Sequence, residues 1–241
     1  MASDDAESTV YQAAKEALTR WLGAARDAVL APWRKFKGQP NPSALASVDG
    51  VWEQGVDRII AALTPALREG WQAAHLERPF DMRDPYIQAN VALAKNLLVR
   101  VPDETHSLVI NAILEGTNRN EDTGQIAARV QDVLTYTGSE NWDSRARLIA
   151  QTETNRHYNS SLLAHALLVQ RQDGGRYTKT WETRTDGKER RAHLLADHQA
   201  RPLEQPYLVD KELMNFPGDP QGSPGNVCGC RCSQLIHKEA V

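Results

Sequence analysis

Three cysteines stand close together near the end of this 241-residue chain, as Cys228-Gly229-Cys230-Arg231-Cys232, and Asp186, Arg190, His193, Asp197 and His198 precede them. Residues two apart in an extended segment point to the same side, so Cys230 and Cys232 can address one metal ion. Zinc takes four soft or borderline ligands in a tetrahedron, commonly thiolates with an imidazole. His193 or His198 completes such a set if the chain folds back, and Cys228 is a further donor. The spacing C-x-C is less usual than C-x2-4-C. The alternative is that small cysteines pack beneath the terminal strand while His193 makes an ordinary hydrogen bond. An enzyme built on the same residues would be a small metal-dependent hydrolase or nuclease, with zinc at Cys230, Cys232 and His193 and with Asp197 or His198 as base. A closed Cys/His site argues against it, because catalytic zinc keeps an open position. No serine-centred elbow, paired-carboxylate design or phosphate-cradling glycine loop accompanies these residues. The expectation is a protein that is not an enzyme.

Two further polar groups invite a functional reading. Arg190 and Arg191 beside Asp186 and Glu189 suit a bidentate arginine–carboxylate pair that staples a loop, more than a catalytic anion site. Thr152-Glu153-Thr154 falls in mid-helix. The preferred reading is a polar face that hydrogen-bonds the following strand and turn, not a catalytic Glu153. His75, His106 and His165 read as partly buried helix residues.

The elements that must position these groups follow from periodicity. Val10, Ala14, Leu18, Trp21, Leu22, Ala25 and Val29 recur at three- and four-residue steps, one face of an amphipathic helix. Pro32 is expected to stop it, leaving Trp33–Pro40 as a basic, aromatic linker. Ser43 can cap a second helix that Pro65 bends or ends. Asp84-Pro85 and Pro102-Asp103-Glu104 open helices over about 85–100 and 103–115. Residues 116–120 form a loop, and Ile126, Val130, Val133 and Leu134 mark a shorter helix. A long helix is expected over about 141–171, polar at its centre. Tyr177–Thr183 alternates like a strand, and a short helix carries Arg190 to Gln199. Prolines, glycines and short extended pieces dominate from Pro202 onward. The fold class is α+β: a helical region over 1–137, then a compact α+β module over 138–241.

Composition bounds the function. At 41% hydrophobic and 24% charged, the chain reads as an ordinary globular protein. Its three cysteines suit metal binding or plain burial in a reducing compartment, not a disulfide scaffold. The acidic start Met1–Asp5 lacks the order of a signal peptide, and no apolar run reaches the roughly 18 residues a membrane span needs. A secreted disulfide protein and a membrane protein are not expected. The net charge of −3 conceals −6 over residues 1–144 and +4 over 145–200. That basic segment supports at most weak, non-specific DNA contact, and a DNA-binding regulator lacks a helix-turn-helix pattern.

Five pieces occur in one order: Arg145–Thr154, Lys179-Thr-Trp181, Asp186 with Arg190 and His193, Phe216–Pro220, and Cys230-Arg-Cys232. This series resembles the phage Mu F-like minor head protein family, also called the phage head morphogenesis family, over about residues 138–235. The resemblance implies a virion component: a low-copy minor capsid protein inside the head, near the portal vertex. Its implied partners are the portal protein and the major capsid or scaffolding protein, with packaged DNA or its delivery involved in some members. Implied locations are the virion and, during assembly, the host cytoplasm. The family's motif residues carry over onto Glu153, Trp181, Asp186, Arg190, His193, Cys230 and Cys232. Gly229 replaces the usual asparagine before C-R-C, Cys228 is additional, and His198 stands where a glycine is frequent. Both changes add potential ligands for a zinc ion.

Overall fold

The computed structural model describes residues 1–135 and 139–239, so the expected boundary at 137/138 lies outside the described residues. Nine α-helices and five strands are described: α1 (Asp4–Phe36), α2 (Asp49–Ala62), α3 (Thr64–Ala73), α4 (Pro85–Leu98), α5 (Pro102–Asn118), α6 (Thr123–Thr135), α7 (Ser139–Asp173), β1 (Tyr177–Glu182), α8 (Arg191–Ala196), β2 (Ala200–Pro202), β3 (Tyr207–Val209), β4 (Glu212–Met214), α9 (Pro224–Val227) and β5 (Ser233–Lys238). The class is α+β, with helices first and a small sheet region at the C-terminal end. Contacts divide the chain into two compact units, each assembled from separate segments. One comprises Gln12–Ala61 and Ala94–Arg147; the other comprises Met1–Tyr11, Ala62–Leu93 and Leu148–Val241.

The all-helical unit is held by an apolar seam. Ala14, Leu18, Trp21, Ala25 and Val29 of α1 are buried, as the periodicity requires. Trp21 meets Trp52 edge-on at 6.1 Å, and the Trp52 indole donates to the Leu98 carbonyl at 2.8 Å. A Cβ on Gly55 would lie 2.6 Å from that of Ala17, so glycine lets α1 and α2 approach. Pro32 does not end α1, which runs to Phe36 with the proline inside it. A proline removes one helical hydrogen bond, while Val29 and Leu30 just before it are fully buried. The stop is Lys37, whose φ of 56° is left-handed. The cap expected at Ser43 belongs to Asn41, whose side chain accepts from the Ser43 amide and opens a 3-10 turn over Pro42–Val48. Pro65 lies in the first turn of α3, a helix absent from the sequence reading.

The second unit centres on α7 and an antiparallel sheet of order β2-β1-β5. Tyr177, Lys179 and Trp181 alternate inward along β1. Thr180 pairs with Ala200 on one side and with Leu235 on the other. Strands β3 and β4 form a separate hairpin, with Tyr207 opposite Met214. Trp181, Tyr207, Val209, Met214, Val227, Cys230 and Cys232 share one buried cluster. Helix α3 crosses α7 closely: a Cβ on Gly70 would sit 2.0 Å from the Tyr158 carbonyl oxygen. His165 is fully buried, its ring stacked 4.3 Å from that of Trp71 and its Nδ1 2.6 Å from the Trp71 carbonyl.

Candidate functional site

Helix α7 is unusual in what it buries. Thr152, Glu153, Thr154, Asn155, Arg156, His157, Asn159, Ser160 and Ser161 are all at most 8% exposed. Buried polar groups need partners: Thr152, Asn155, Arg156 and Asn159 find them in the last third of the chain, Glu153, His157 and Ser160 within the helix, and the Thr154 and Ser161 hydroxyls find none among the described residues. Asn155 and Asn159 both donate to the Cys232 carbonyl, at 3.0 and 3.1 Å. The Thr152 hydroxyl accepts from the Gly229 amide at 2.9 Å, and Gln234 donates to the Asn159 carbonyl at 2.9 Å. Arg156 donates to the Gly218 carbonyl and forks onto both oxygens of Glu153. Burial pushes the Glu153 carboxyl up, against the Arg156 charge that holds it down. Burial likewise drops His157 to about 4.

The segment so anchored carries the cysteines. Gly229 turns left-handed, with φ 65°, and the next three residues alternate. Cys230 and Cys232 point inward, while Arg231 points out and grips both oxygens of Asp186. Helix α8 brings His193 to meet them. Its Nδ1 lies 3.3 Å from the Cys232 sulfur and 3.9 Å from that of Cys230. All three residues are at most 3% exposed, and the cysteines are free. The His193 ring stands edge-on to Trp181 at 5.7 Å. Thr183 knits these pieces: its hydroxyl donates to the His193 carbonyl at 2.8 Å and accepts from the Trp181 indole at 3.1 Å. The Cys230 thiol, with His193 adding to its effect, lowers Cys232 below the usual thiol range, while the same interaction and burial raise Cys230.

The remaining expected residues take other places. The Cys228 thiol is not among the clustered donor atoms; its carbonyl accepts from Arg190. The Asp186 carboxylate is held by Arg231, 45 positions away, and by Arg184 at 3.3 Å, not by Arg190. His198 is exposed, 3.6 Å from Glu182 and 3.5 Å from Asp197. Asp197 accepts from the Thr183 amide at 2.8 Å. Neither base suggested for a hydrolase joins the Cys/His cluster. Thr183, Asn155, Asn159 and Arg231 were not singled out by sequence. The polar run Thr152–Asn159 was the signal for the asparagines; the short polar side chain of Thr183 carries none.

The family model described as Phage Mu protein F like protein matches residues 103–235, which include α7, His193 and both inward-facing cysteines. The match begins well before residue 138, where the motif resemblance starts, and takes in α5 and α6. No curated protein and no solved structure matches the chain. Among the described residues no helix is long and apolar enough to cross a membrane. With more than half its length matched, motif segments included, the chain belongs to the Phage Mu protein F like family.

Proposed function

We propose that this protein is a minor capsid protein of a tailed phage, acting in head morphogenesis inside the head at the portal vertex. The observation that carries this reading is the family match over residues 103–235, since that family suggests phage head morphogenesis. Leu93 and Leu97 of α4 and Leu108, Ile110 and Leu114 of α5 are exposed apolar side chains. Large apolar groups left to solvent are the material of protein–protein contact, and they support binding to portal, major capsid or scaffolding protein. The engagement of Asp197 and His198 outside the Cys/His cluster supports a structural role over a hydrolytic one.

Contact with packaged DNA is confined to weak, sequence-independent attraction through the basic excess over 145–200. Part of that excess is already engaged by acids outside the segment, where Arg145 meets Glu104 and Arg147 meets Asp143. Quantitative mass spectrometry of gradient-purified proheads and mature heads from the phage that encodes this chain tests the reading. A fixed low copy number in proheads is expected. Absence from both particle types overturns it.

A further inference from the structure

The Cys/His cluster has the donor chemistry and spacing of a metal site, and one side of it is open. A tetrahedral zinc ion with Zn–N near 2.0 Å and Zn–S near 2.3 Å separates nitrogen from sulfur by about 3.6 Å. The observed Nδ1–sulfur distances of 3.3 and 3.9 Å bracket that edge, and all three donor atoms lie within 4.8 Å of one another. Two thiolates and an imidazole favour zinc over the hard cations magnesium and calcium. The backbone around the donors is fixed from outside the cluster. Asn155 and Asn159 hold the Cys232 carbonyl, and Thr183 holds that of His193.

Three protein donors leave one tetrahedral position, so the cluster is open where the sequence reading took a Cys/His site to be closed. His193, Cys230 and Cys232 also line a cavity of about 80 Å³, whose other walls include Arg184, Lys188, Arg190 and Arg231. A single water needs only about 10–15 Å³ of such volume. Four cations line it; even with Asp186 paired to Arg231 and Arg184, and Glu189 in the lining, cations exceed carboxylates by two and favour an anion there.

The geometry points to a zinc site made by His193 Nδ1, Cys230 and Cys232, whose fourth position faces the basic cavity and takes water or a small inorganic anion. The ion ties α8 to the segment before β5, two pieces nearly 40 residues apart, and so contributes to folding of this unit. The inference stands on the cluster alone and does not require the virion reading.

Purified full-length protein, prepared without chelator, is assayed for zinc and then loaded with cobalt(II) as a spectroscopic probe. About one equivalent of zinc is expected, together with thiolate-to-cobalt charge-transfer absorption and tetrahedral ligand-field bands. Added azide is expected to shift the ligand-field bands, because the fourth position exchanges with solvent. Cys228→Ser should keep metal and azide response alike, whereas Cys232→Ser should lose the charge-transfer intensity. The wild-type measurements need no variant to fold. Zinc-free protein that takes up no cobalt(II) overturns the site. Bound cobalt(II) that ignores azide and requires Cys228 overturns the open position.

Discussion

Two long helices of this protein bury comparable stretches by opposite chemistry. Between Ala14 and Val29, α1 buries alanine, leucine, tryptophan and valine. Between Thr152 and Ser161, α7 buries threonine, glutamate, asparagine, arginine, histidine and serine. Apolar contact is roughly proportional to area and indifferent to direction. A seam like that of α1 therefore stabilises without fixing every partner atom. Buried hydrogen-bonding groups are directional, and one left unpaired costs about 1–3 kcal/mol. The polar stretch of α7 thus specifies where the Cys232 and Gly218 carbonyls and the Gly229 amide must lie. One region supplies stability; the other positions a site.

The sharpest way to break this contrast is to remove one member of the buried pair. Arg156→Ala leaves the Glu153 carboxylate buried and unpaired, and is expected to cost about 3–5 kcal/mol. The Glu153→Leu, Arg156→Met double variant should recover most of that loss, because no charge is then stranded. Trp21→Ala should cost a similar ~3–5 kcal/mol by leaving a cavity. The two single losses differ in pH response. Protonating Glu153 relieves the first as pH falls and leaves the second unchanged. Urea unfolding at several pH values checks all three variants. A loss for Arg156→Ala that ignores pH would contradict the role given to Glu153.

Acidity sharpens the same contrast in the unmodified protein. His157 is held near 4 in the fold against about 6.5 when unfolded, so the unfolded chain binds more protons in between. Stability is then complete above about pH 6.5 and falls as pH drops towards about 4, by up to ~3 kcal/mol. The buried His165, lowered chiefly by desolvation, acts in the same direction. His157→Gln should flatten the profile in that window. An unchanged profile would place the acid sensitivity elsewhere.

Smaller effects come from the amides. Asn155→Ala and Asn159→Ala each remove one of two donors to the same carbonyl, and should cost about 1 kcal/mol apiece. Together they leave that carbonyl with neither amide, so the double variant should lose more than the sum. Chemical denaturation of the four-member cycle reads the difference, and strict additivity would argue against a shared role. The smallest effect belongs to Arg20→Ala on the exposed face of α1, where the bond to Glu16 should be worth at most about 0.5 kcal/mol and fade with salt. Thermal unfolding at low and high ionic strength measures it.

The apolar half of this comparison was legible in the sequence because a 3.6-residue period needs only local information. Residues 85–98 and 177–182 are where proline, acid and alternation placed them, whereas α5 starts as expected but runs on to Asn118, into the segment expected to be a loop at 116–120. Pro32 and Pro65 misled, since a proline's local cost does not reveal whether neighbours such as Val29 and Leu30 are buried firmly enough to carry the helix past it. Cys230, Cys232 and His193 stood out by residue type, and the period-two alternation of an extended segment put both thiols on one side. Partner choice was beyond reach. Asp186 pairs across 45 positions and Asn155 across 77, and single-sequence reading has no term for such distances. The segments that form each compact unit interleave along the chain for the same reason.

Localisation in an intact particle addresses the functional account most directly. Cryo-electron microscopy of purified heads, reconstructed without imposed icosahedral symmetry and compared with particles lacking this gene, would show where the protein resides. The account predicts difference density inside the shell at the single portal vertex. Density spread evenly over the outer capsid surface, or identical maps from both particle types, would contradict it.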